Sequence, residues 1–289
     1  MDGSVMSQAL ERPNSGILYF RMSADNDSRH PAPDDRWGVS PQVYRSPQAQ
    51  PMKTATVLLI IALLTGLALL VGGPGARLGL WDFRFGFLLM RYSAYIGMGV
   101  LALVTVALLI PNVRQGQGSK LMIALGIAAI VVWIPWQILQ QARAVPPIHD
   151  ITTDTDNPPP FGAIVPLRAD APNPVSYDGA DSARQQLAAY PDIQPIVLPT
   201  ASGIAFDRAL ASARDLGWEI VAAVPDLGRI EATESSFWYG FEDDVVIRVA
   251  GTERESRIDI RSKSRVGKSD LGKNAERIRA FQKNVLERQ

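Results

Sequence analysis

Three long apolar runs without a charged residue constrain the fold of this 289-residue chain more than any other feature. They occupy residues 56–71, 92–110 and 121–139. With its flanking residues, each run approaches the roughly 20 residues that a helix needs to cross the hydrocarbon core of a bilayer. Uncharged runs of this length, joined by short loops, are hard to place in a water-soluble fold. We therefore predict a transmembrane region of three helices over residues 52–143.

The predicted spans have the composition of an anchor. No acidic residue lies within them, and they contain no pair of half-helices broken by Pro or Gly, features that transporters and proton relays usually need. Trp133 and Trp136, near the end of the third run, fit the aromatic belt of a membrane interface. The alternative is a scaffold protein in which the spans themselves mediate pairing. The sequence does not indicate an oligomeric state.

Residues 1–51 differ sharply from the spans that follow them. They are rich in Pro, Ser, Asp and Arg and show no sustained apolar period, which predicts disorder. Alternatively, Met52 and Lys53 stand directly before the first apolar run, as a natural start would. In that case residues 1–51 are a mis-called upstream extension, and the sequence leaves both interpretations open.

The orientation of the spans depends on the Lys and Arg residues that flank them, and the two sides are nearly balanced. Arg36 slightly favours a cytoplasmic N-terminus, and Met52-Lys53 with the first run also resembles a secretory signal. Either interpretation exports the second half of the chain. We therefore predict a multi-pass protein of a bacterial inner membrane with its soluble domain outside the cytoplasm. The flanking residues are Arg45, Lys53, Arg114 and Lys120 on the cytoplasmic side and Arg77, Arg84, Arg91 and Arg143 on the other.

Composition excludes several kinds of chemistry. The chain has no cysteine, so disulfides, zinc thiolate sites and cysteine nucleophiles are ruled out. The two histidines, His30 and His149, lie in Pro- and Asp-rich segments, which argues against a rigid Ser–His–Asp triad. The 29 basic and 29 acidic residues balance, which argues against nucleic-acid binding. The acidic clusters lack EF-hand spacing, and we predict neither a metal site nor a cofactor.

The balanced total hides an uneven distribution of charge along the second half of the chain. Residues 146–253 contain roughly 6 basic and 17 acidic residues, whereas residues 254–289 contain roughly 11 basic and 5 acidic ones. We interpret this asymmetry as salt bridges between the two segments within one fold.

The second half of the chain predicts an extended arm followed by an α+β domain. Prolines exclude a regular helix or a central strand from the arm, residues 144–180. In the domain, residues 181–289, helices are predicted at 181–189, 202–216 and 269–288. Strands are predicted at 218–224, 229–234, 237–241, 243–250 and 254–265.

Alternation in the last predicted strand assigns its two faces. Ile258 and Ile260 point to the core, and Arg257, Asp259, Arg261, Lys263 and Arg265 share the opposite face. Consecutive strands joined by short turns pair antiparallel, and the helices cover one face of the sheet. The predicted fold class is a multi-pass α-helical membrane segment plus an α+β two-layer sandwich with an antiparallel sheet.

Aromatic residues crowd the predicted sheet. We expect most of them to pack in the domain core, and an aromatic side chain left exposed would line an apolar groove. The residues concerned are Trp218, Phe237, Trp238, Tyr239 and Phe241.

Four short stretches carry a family resemblance. They read PIHDITTD at 147–154, YPD at 190–192, FWYGFEDDV at 237–245 and RSKSRVGKSDLGKN at 261–274. In this order they resemble the bacterial family called domain of unknown function 1499, over about residues 146–287. The last stretch is the most specific, and the membrane half lies outside the resemblance. The resemblance implies an envelope-associated domain without an established activity and supplies no catalytic residues.

The segment from 261 to 279 is the best candidate for a binding site. A strand ends, a Gly-containing turn follows, and a helix begins at Ser269-Asp270, where free N–H groups and the helix dipole favour an anion. Alternatively, Ser269 or Asp270 caps the helix and the arginines pair with the acids at 242–244. The residues predicted to bind a phosphate, a carboxylate or an anionic lipid headgroup are Arg261, Arg265, Lys268, Ser269, Asp270, Asn274 and Arg277.

The leading functional hypothesis is a non-enzymatic, membrane-anchored envelope protein whose soluble domain binds an anionic small molecule, a lipid or a protein partner. The runner-up is an envelope enzyme that uses Asp243 and Asp244 with Arg261 as an electrostatic clamp. A concave pocket that holds a carboxylate of raised pKa near Arg261 would favour the enzyme. A shallow basic face would favour binding.

Overall fold

The three predicted spans are long apolar helices. A computed structural model describes residues 53–288, so the predictions for residues 1–51 lie outside the described part of the chain. The spans are α1 (Thr54–Arg77), α2 (Phe83–Leu109) and α4 (Gly118–Ala144), and a short helix, α3 (Pro111–Arg114), precedes the third. Their lengths of 24, 27 and 27 residues allow each to cross a bilayer. The protein is therefore a membrane protein, as predicted.

Helix α2 starts well before the uncharged run that predicted it. The Asp82 side chain accepts a hydrogen bond of 2.8 Å from the backbone N–H of Arg84 and so caps the helix. The charged residues of its first turns therefore belong to the helix. A search for runs without charged residues cannot detect this part of the helix. The helix ends at Leu109, shortly before Pro111, which cannot continue it.

Small side chains bring the spans together. Ala62, Ala124 and Ala128 are fully buried between the helices, whereas large residues such as Leu64 point outward. In a bilayer, where lipid tails are as apolar as leucine, helices associate through such close packing. The outward leucines suit a lipid environment.

The second half of the chain forms one antiparallel sheet of six strands. The strands are β1 (Asp150–Thr152), β2 (Ile196–Leu198), β3 (Glu219–Val224), β4 (Arg229–Ser235), β5 (Glu242–Gly251) and β6 (Ser256–Ser264). Their order is β1-β6-β5-β4-β3, and β2 pairs with β6 at the same edge as β1. The helices are α5 (Ala180–Ala189), α6 (Ser202–Asp215) and α7 (Lys273–Glu287).

The apolar core lies between one face of the sheet and helices α6 and α7. Ile258 and Ile260 of β6 are fully buried there, as predicted. The Trp218 ring stacks on Phe281 of α7 with 5.7 Å between ring centroids. The predicted α+β fold with an antiparallel sheet is therefore confirmed.

Three details of the predicted elements are wrong. Residues 237–241 form the turn between β4 and β5, because Gly240 adopts a φ of +69° and the backbone N–H of Ser236 bonds to the Phe241 carbonyl. The last helix begins at Lys273 instead of 269. The prediction also missed β1 and β2, which have three residues each and lie in or beside proline-rich sequence, where the strand pattern is too short to detect.

The arm is ordered along the sheet. Its β1 strand pairs with β6, with Thr152 opposite Arg261, so the arm joins the sheet directly after the third span. Farther along, Phe161 and Ile164 pack on Val246 of β5, on the face opposite helices α6 and α7. The arm therefore covers the second face of the sheet.

Candidate functional site

The face of the sheet beneath the arm is charged, and we call it the ionic face. It consists of Glu231, Asp244, Arg248, Asp259, Arg261 and Lys263, which alternate with core residues along β4, β5 and β6. Its residues on β6 belong to the set predicted to share one face. Most of these side chains are buried, so each needs an internal partner of opposite charge.

Asp150 is the centre of this network. Its Oδ1 lies 2.8 Å from Arg261 Nε, and its Oδ2 lies 2.8 Å from Arg261 Nη2 and 3.0 Å from Lys263 Nζ. Lys263 also donates to the Ser176 carbonyl at 2.7 Å and to Asp178 at 2.6 Å. These three acceptors satisfy all the donors of an ammonium group. These contacts compensate for the burial of the Lys263 ammonium group, which is fully shielded from solvent.

A second buried carboxylate, Asp244, joins the arm to the end of the sheet. Arg168 of the arm donates to it at 2.7 Å, Thr233 at 2.7 Å and Arg265 at 2.8 Å. Burial raises the pKa of Asp244, but the hydrogen bonds from Arg265, Thr233 and Arg168 outweigh it and hold that pKa below its ordinary value. Asp244 is therefore ionised at neutral pH and acts as a structural acceptor.

Aromatic rings close the ionic face above Arg261. The guanidinium carbon lies 4.9 Å from the centroid of the Phe161 ring and 5.5 Å from that of Tyr177. Burial, together with nearby Asp150, raises the pKa of Tyr177 to about 12. Arg261 is 2% exposed, so an external ligand reaches it only if the arm moves.

At the start of α7, where the sequence predicts an anion site, two backbone N–H groups bind a carboxylate of the chain itself. The two carboxylate oxygens of Asp270 accept bonds of 2.8 Å from the backbone N–H groups of Gly272 and Asn274. Burial raises the pKa of Asp270 above its ordinary value, although these two N–H groups oppose the shift. Asp270 therefore caps the helix, as the alternative interpretation proposed.

The other predicted residues divide between internal pairing and exposure. Asn274 is buried and accepts from Ser262 at 2.6 Å, and Ser269 accepts from the Leu271 N–H at 3.2 Å. Arg277 pairs with Glu234 and with Asp243. Lys268 is exposed on the turn. The geometry favours a structural role for most of the set, and anion binding by these residues stays a prediction.

Internal pairing also accounts for the uneven charge along the chain. Basic residues after position 253 bind acidic residues before it, as the sequence predicted. The pairs include Arg261–Asp150, Lys263–Asp178, Arg265–Asp244, Arg277–Asp243 and Arg279–Asp192.

A concave site lies where the domain meets the membrane helices, and we call it the junction cleft. Its volume is about 430 Å³. One wall comes from the end of α1 and the start of α2 with the turn between them, a second from Leu167 and residues 170–172 of the arm, and a third from residues 239–242 with Arg265 and Val266. Of the seven predicted binding residues, Arg265 lines this cleft.

Glycines in the spans make room for the turn between β4 and β5, residues 236–241, which we call the hairpin tip. A Cβ atom placed on Gly73 of α1 would lie 2.0 Å from the Trp238 ring, and one on Gly86 of α2 would lie 2.9 Å from the Tyr239 ring. Arg77, at the end of α1, donates to the Phe237 carbonyl. The hairpin tip therefore sits in a notch that larger residues would fill.

Aromatic rings fill the contact between the hairpin tip and α2. Phe83 lies 5.5 Å from Phe241, and Phe87 lies 5.0 Å from Tyr239, measured between ring centroids. Tyr239 and Phe241 stack at 5.2 Å. The prediction that most aromatics pack in the domain core is wrong for these residues, because their partners are in the spans. Tyr239 and Phe241 are half-buried and line the junction cleft together with charged residues, so this cleft is not the apolar groove expected for an exposed aromatic.

Three membrane-length helices joined to an α+β domain define an integral membrane protein with one domain outside the bilayer. A family model described as "Protein of unknown function (DUF1499)" matches residues 150–285, within that domain. The match begins at Asp150, the centre of the ionic face, and confirms the resemblance of the second half of the chain. No curated protein and no solved structure matches the chain.

Proposed function

We propose that this membrane-anchored protein binds the polar part of a bilayer amphiphile in the junction cleft. One observation carries the proposal: the cleft is built jointly by the ends of the spans and by the domain. Helix α1 ends at Arg77 and α2 begins at Phe83, so these walls stand where lipid headgroups meet water. The cleft volume of about 430 Å³ falls in the range of ligand pockets.

The lining favours an amphiphile whose polar group donates hydrogen bonds. Asp82, Asp170 and Glu242 contribute carboxylates, and Arg265 contributes the guanidinium. Both oxygens of Asp244 hold Arg265 at 2.8 Å, and Glu242 pairs with it as well, so most of its donors are engaged. The hydrogen-bonding groups that remain available in the cleft are therefore mainly acceptors. An ammonium or hydroxyl headgroup fits this lining, and an anionic headgroup, as the sequence predicted, is the competing ligand.

Ala171→Trp tests the cleft directly, because Ala171 lines it and takes no part in the ionic face. We expect the purified full-length protein to retain an aminolipid, such as phosphatidylethanolamine, from an equimolar mixture with phosphatidylglycerol. The tryptophan should fill the cleft and reduce this occupancy about tenfold or more, a loss of about 1.4 kcal/mol. Native mass spectrometry of protein released from nanodiscs measures the bound lipids.

Ala169→Trp is the matched control, since Ala169 is exposed on the same part of the arm and is not among the lining residues. It should leave lipid occupancy unchanged. Equal lipid binding by wild type and both variants would reject the cleft. Loss of phosphatidylglycerol alone in Ala171→Trp would support the cleft and assign it the anionic ligand.

We also propose that the protein lies in a bacterial inner membrane with its domain outside the cytoplasm. Lys120 contacts Thr56 at the start of α1, at 3.0 Å, so Lys53 and Lys120 mark the end of the bundle away from the domain. Arg77 marks the domain end, where it binds the hairpin tip. Basic residues at the far end suit the cytoplasmic side.

Fusions after Gln289 test this orientation. Alkaline phosphatase fused there should be active, because it folds only after export, and a fluorescent protein exported through the same membrane should be dark. A fusion point after Arg114, in the turn between the second and third spans, provides the opposite control. Inactive phosphatase with a bright fluorescent fusion after Gln289 would reverse the assignment.

A further inference from the structure

The hairpin tip presents apolar surface that residues 53–288 do not cover. Phe237 is 82% exposed and Trp238 is 39% exposed, although the strands on both sides are firmly paired. The backbone of the tip is fixed: Ser236 N–H bonds to the Phe241 carbonyl at 2.7 Å, and Gly240 N–H bonds to the Ser236 carbonyl at 3.0 Å. A rigid turn that displays aromatic rings indicates a surface for an apolar partner.

The depth of the tip along α1 identifies that partner. Trp238 lies against Gly73, which precedes the end of α1 at Arg77 by about 6 Å at 1.5 Å per residue. The headgroup region on each side of a bilayer is about 5–7 Å thick. Trp238 therefore lies near the boundary between headgroups and hydrocarbon, where tryptophan is enriched in membrane proteins.

Residues around the tip have the same character. Leu78 and Leu80, which follow the end of α1, are 74% and 69% exposed. The guanidinium carbon of Arg77 lies 5.7 Å from the centroid of the Phe237 ring. An aromatic ring beside an arginine at the end of a span suits an interface in which apolar chains meet phosphates.

We propose that the hairpin tip inserts into the leaflet around α1 and α2, so that the partner of this surface is the lipid bilayer itself. The domain then has two attachments to one membrane surface, the covalent one through α4 and this aromatic contact. The inference does not depend on a ligand in the junction cleft.

The absence of cysteine makes a direct test possible. Phe237→Cys provides a single position for an environment-sensitive fluorophore in the full-length protein, reconstituted in nanodiscs. Leu227→Cys is the matched control: Leu227 is 62% exposed and precedes β4, whose 7 residues, a length of about 23 Å, separate it from the hairpin tip. Lipids that carry a nitroxide near the headgroup should quench most of the emission at 237 and little of it at 227.

A second variant controls for any disturbance of the tip structure that the removal of Phe237 causes. Ser235→Cys, at the exposed end of β4, keeps every aromatic residue of the tip and should also be quenched more than Leu227→Cys. Quenching at 235 and 237 that does not exceed quenching at 227 overturns the proposal. Binding of lipid in the cleft is measured separately, so the two proposals fail independently.

Discussion

Asp150→Asn is expected to lower the free energy of unfolding of the domain by about 3–5 kcal/mol, the usual cost of breaking a buried ion pair. Asparagine keeps the shape of the side chain but removes the charge that faces Arg261 and Lys263, which are 2% and 0% exposed. Lys263 retains Asp178, whereas Arg261 loses its anionic partner and faces an amide in which a donor NH2 replaces one of the two acceptor oxygens. Urea unfolding of the full-length protein in detergent, followed by near-UV circular dichroism, measures the change.

Asp181→Asn is the control for this experiment. Asp181 forms an ion pair with Arg184 in α5, but both side chains are more than three-quarters exposed, at 81% and 77%. Exposed pairs contribute little to stability, so the unfolding curve should stay close to that of the wild type. If Asp150→Asn also unfolds at the wild-type urea concentration, the ionic face does not hold the arm to the sheet.

Gly73→Val should release the hairpin tip from the spans. The first added carbon would already lie 2.0 Å from the Trp238 ring, so the ring must leave the notch. Overpacking of this kind costs about 1–3 kcal/mol, which corresponds to an increase of about 5-fold to 150-fold in the population of the released tip. Chymotrypsin cleavage at the aromatic residues of the tip, in nanodiscs, should accelerate accordingly.

Two variants make the result specific. Gly99→Val is the same substitution within α2, where an added Cβ meets no atom within 4 Å, and it should leave the cleavage rate unchanged. Trp238→Ala combined with Gly73→Val removes the clash and should restore slow cleavage at the remaining aromatics. Cleavage at one rate in wild type, Gly73→Val and Gly99→Val would show that the tip is not seated in the notch.

The membrane region was predictable because its signal is local. A charge-free apolar run reveals a span whatever the rest of the chain does: residues 56–71 and 121–139 lie inside observed helices, and the run at 92–110 ends one residue beyond α2. Alternation in β6 was predictable for the same reason. The ends of the elements were less predictable. Helix α2 extends through charged residues because the Asp82 side chain caps it, and this contact is visible only in the folded structure.

Residues 237–241 show where local reasoning fails. An aromatic run favours a strand, but these rings contact helices about 160 residues earlier in the chain, as the bond from Arg77 to Phe237 illustrates. Gly73 looked like any glycine of a membrane span. Its role becomes visible only with Trp238 beside it, so neither half of the chain predicts the junction cleft alone.

The charge pairing of the ionic face was predictable in kind more than in detail. Unequal charge in two segments indicated salt bridges, and the pairs Arg261–Asp150 and Arg277–Asp243 formed as that argument requires. The partner of each arginine depends on how the arm crosses the sheet. Asp150 looked like an ordinary acid in a proline-rich linker, yet it is fully buried.

The close succession of α4 and β1 has a mechanical consequence. Only residues 145–149 separate the end of the third helix from a strand that is bonded into the sheet, and Gln141 of α4 donates to the Leu271 carbonyl at 2.9 Å. The domain is thus closely coupled to α4, the third span, because the connection between them is short and hydrogen-bonded. A bilayer that thins or thickens tilts the helices within it, and a tilt of α4 would act directly on β1 at the edge of the sheet.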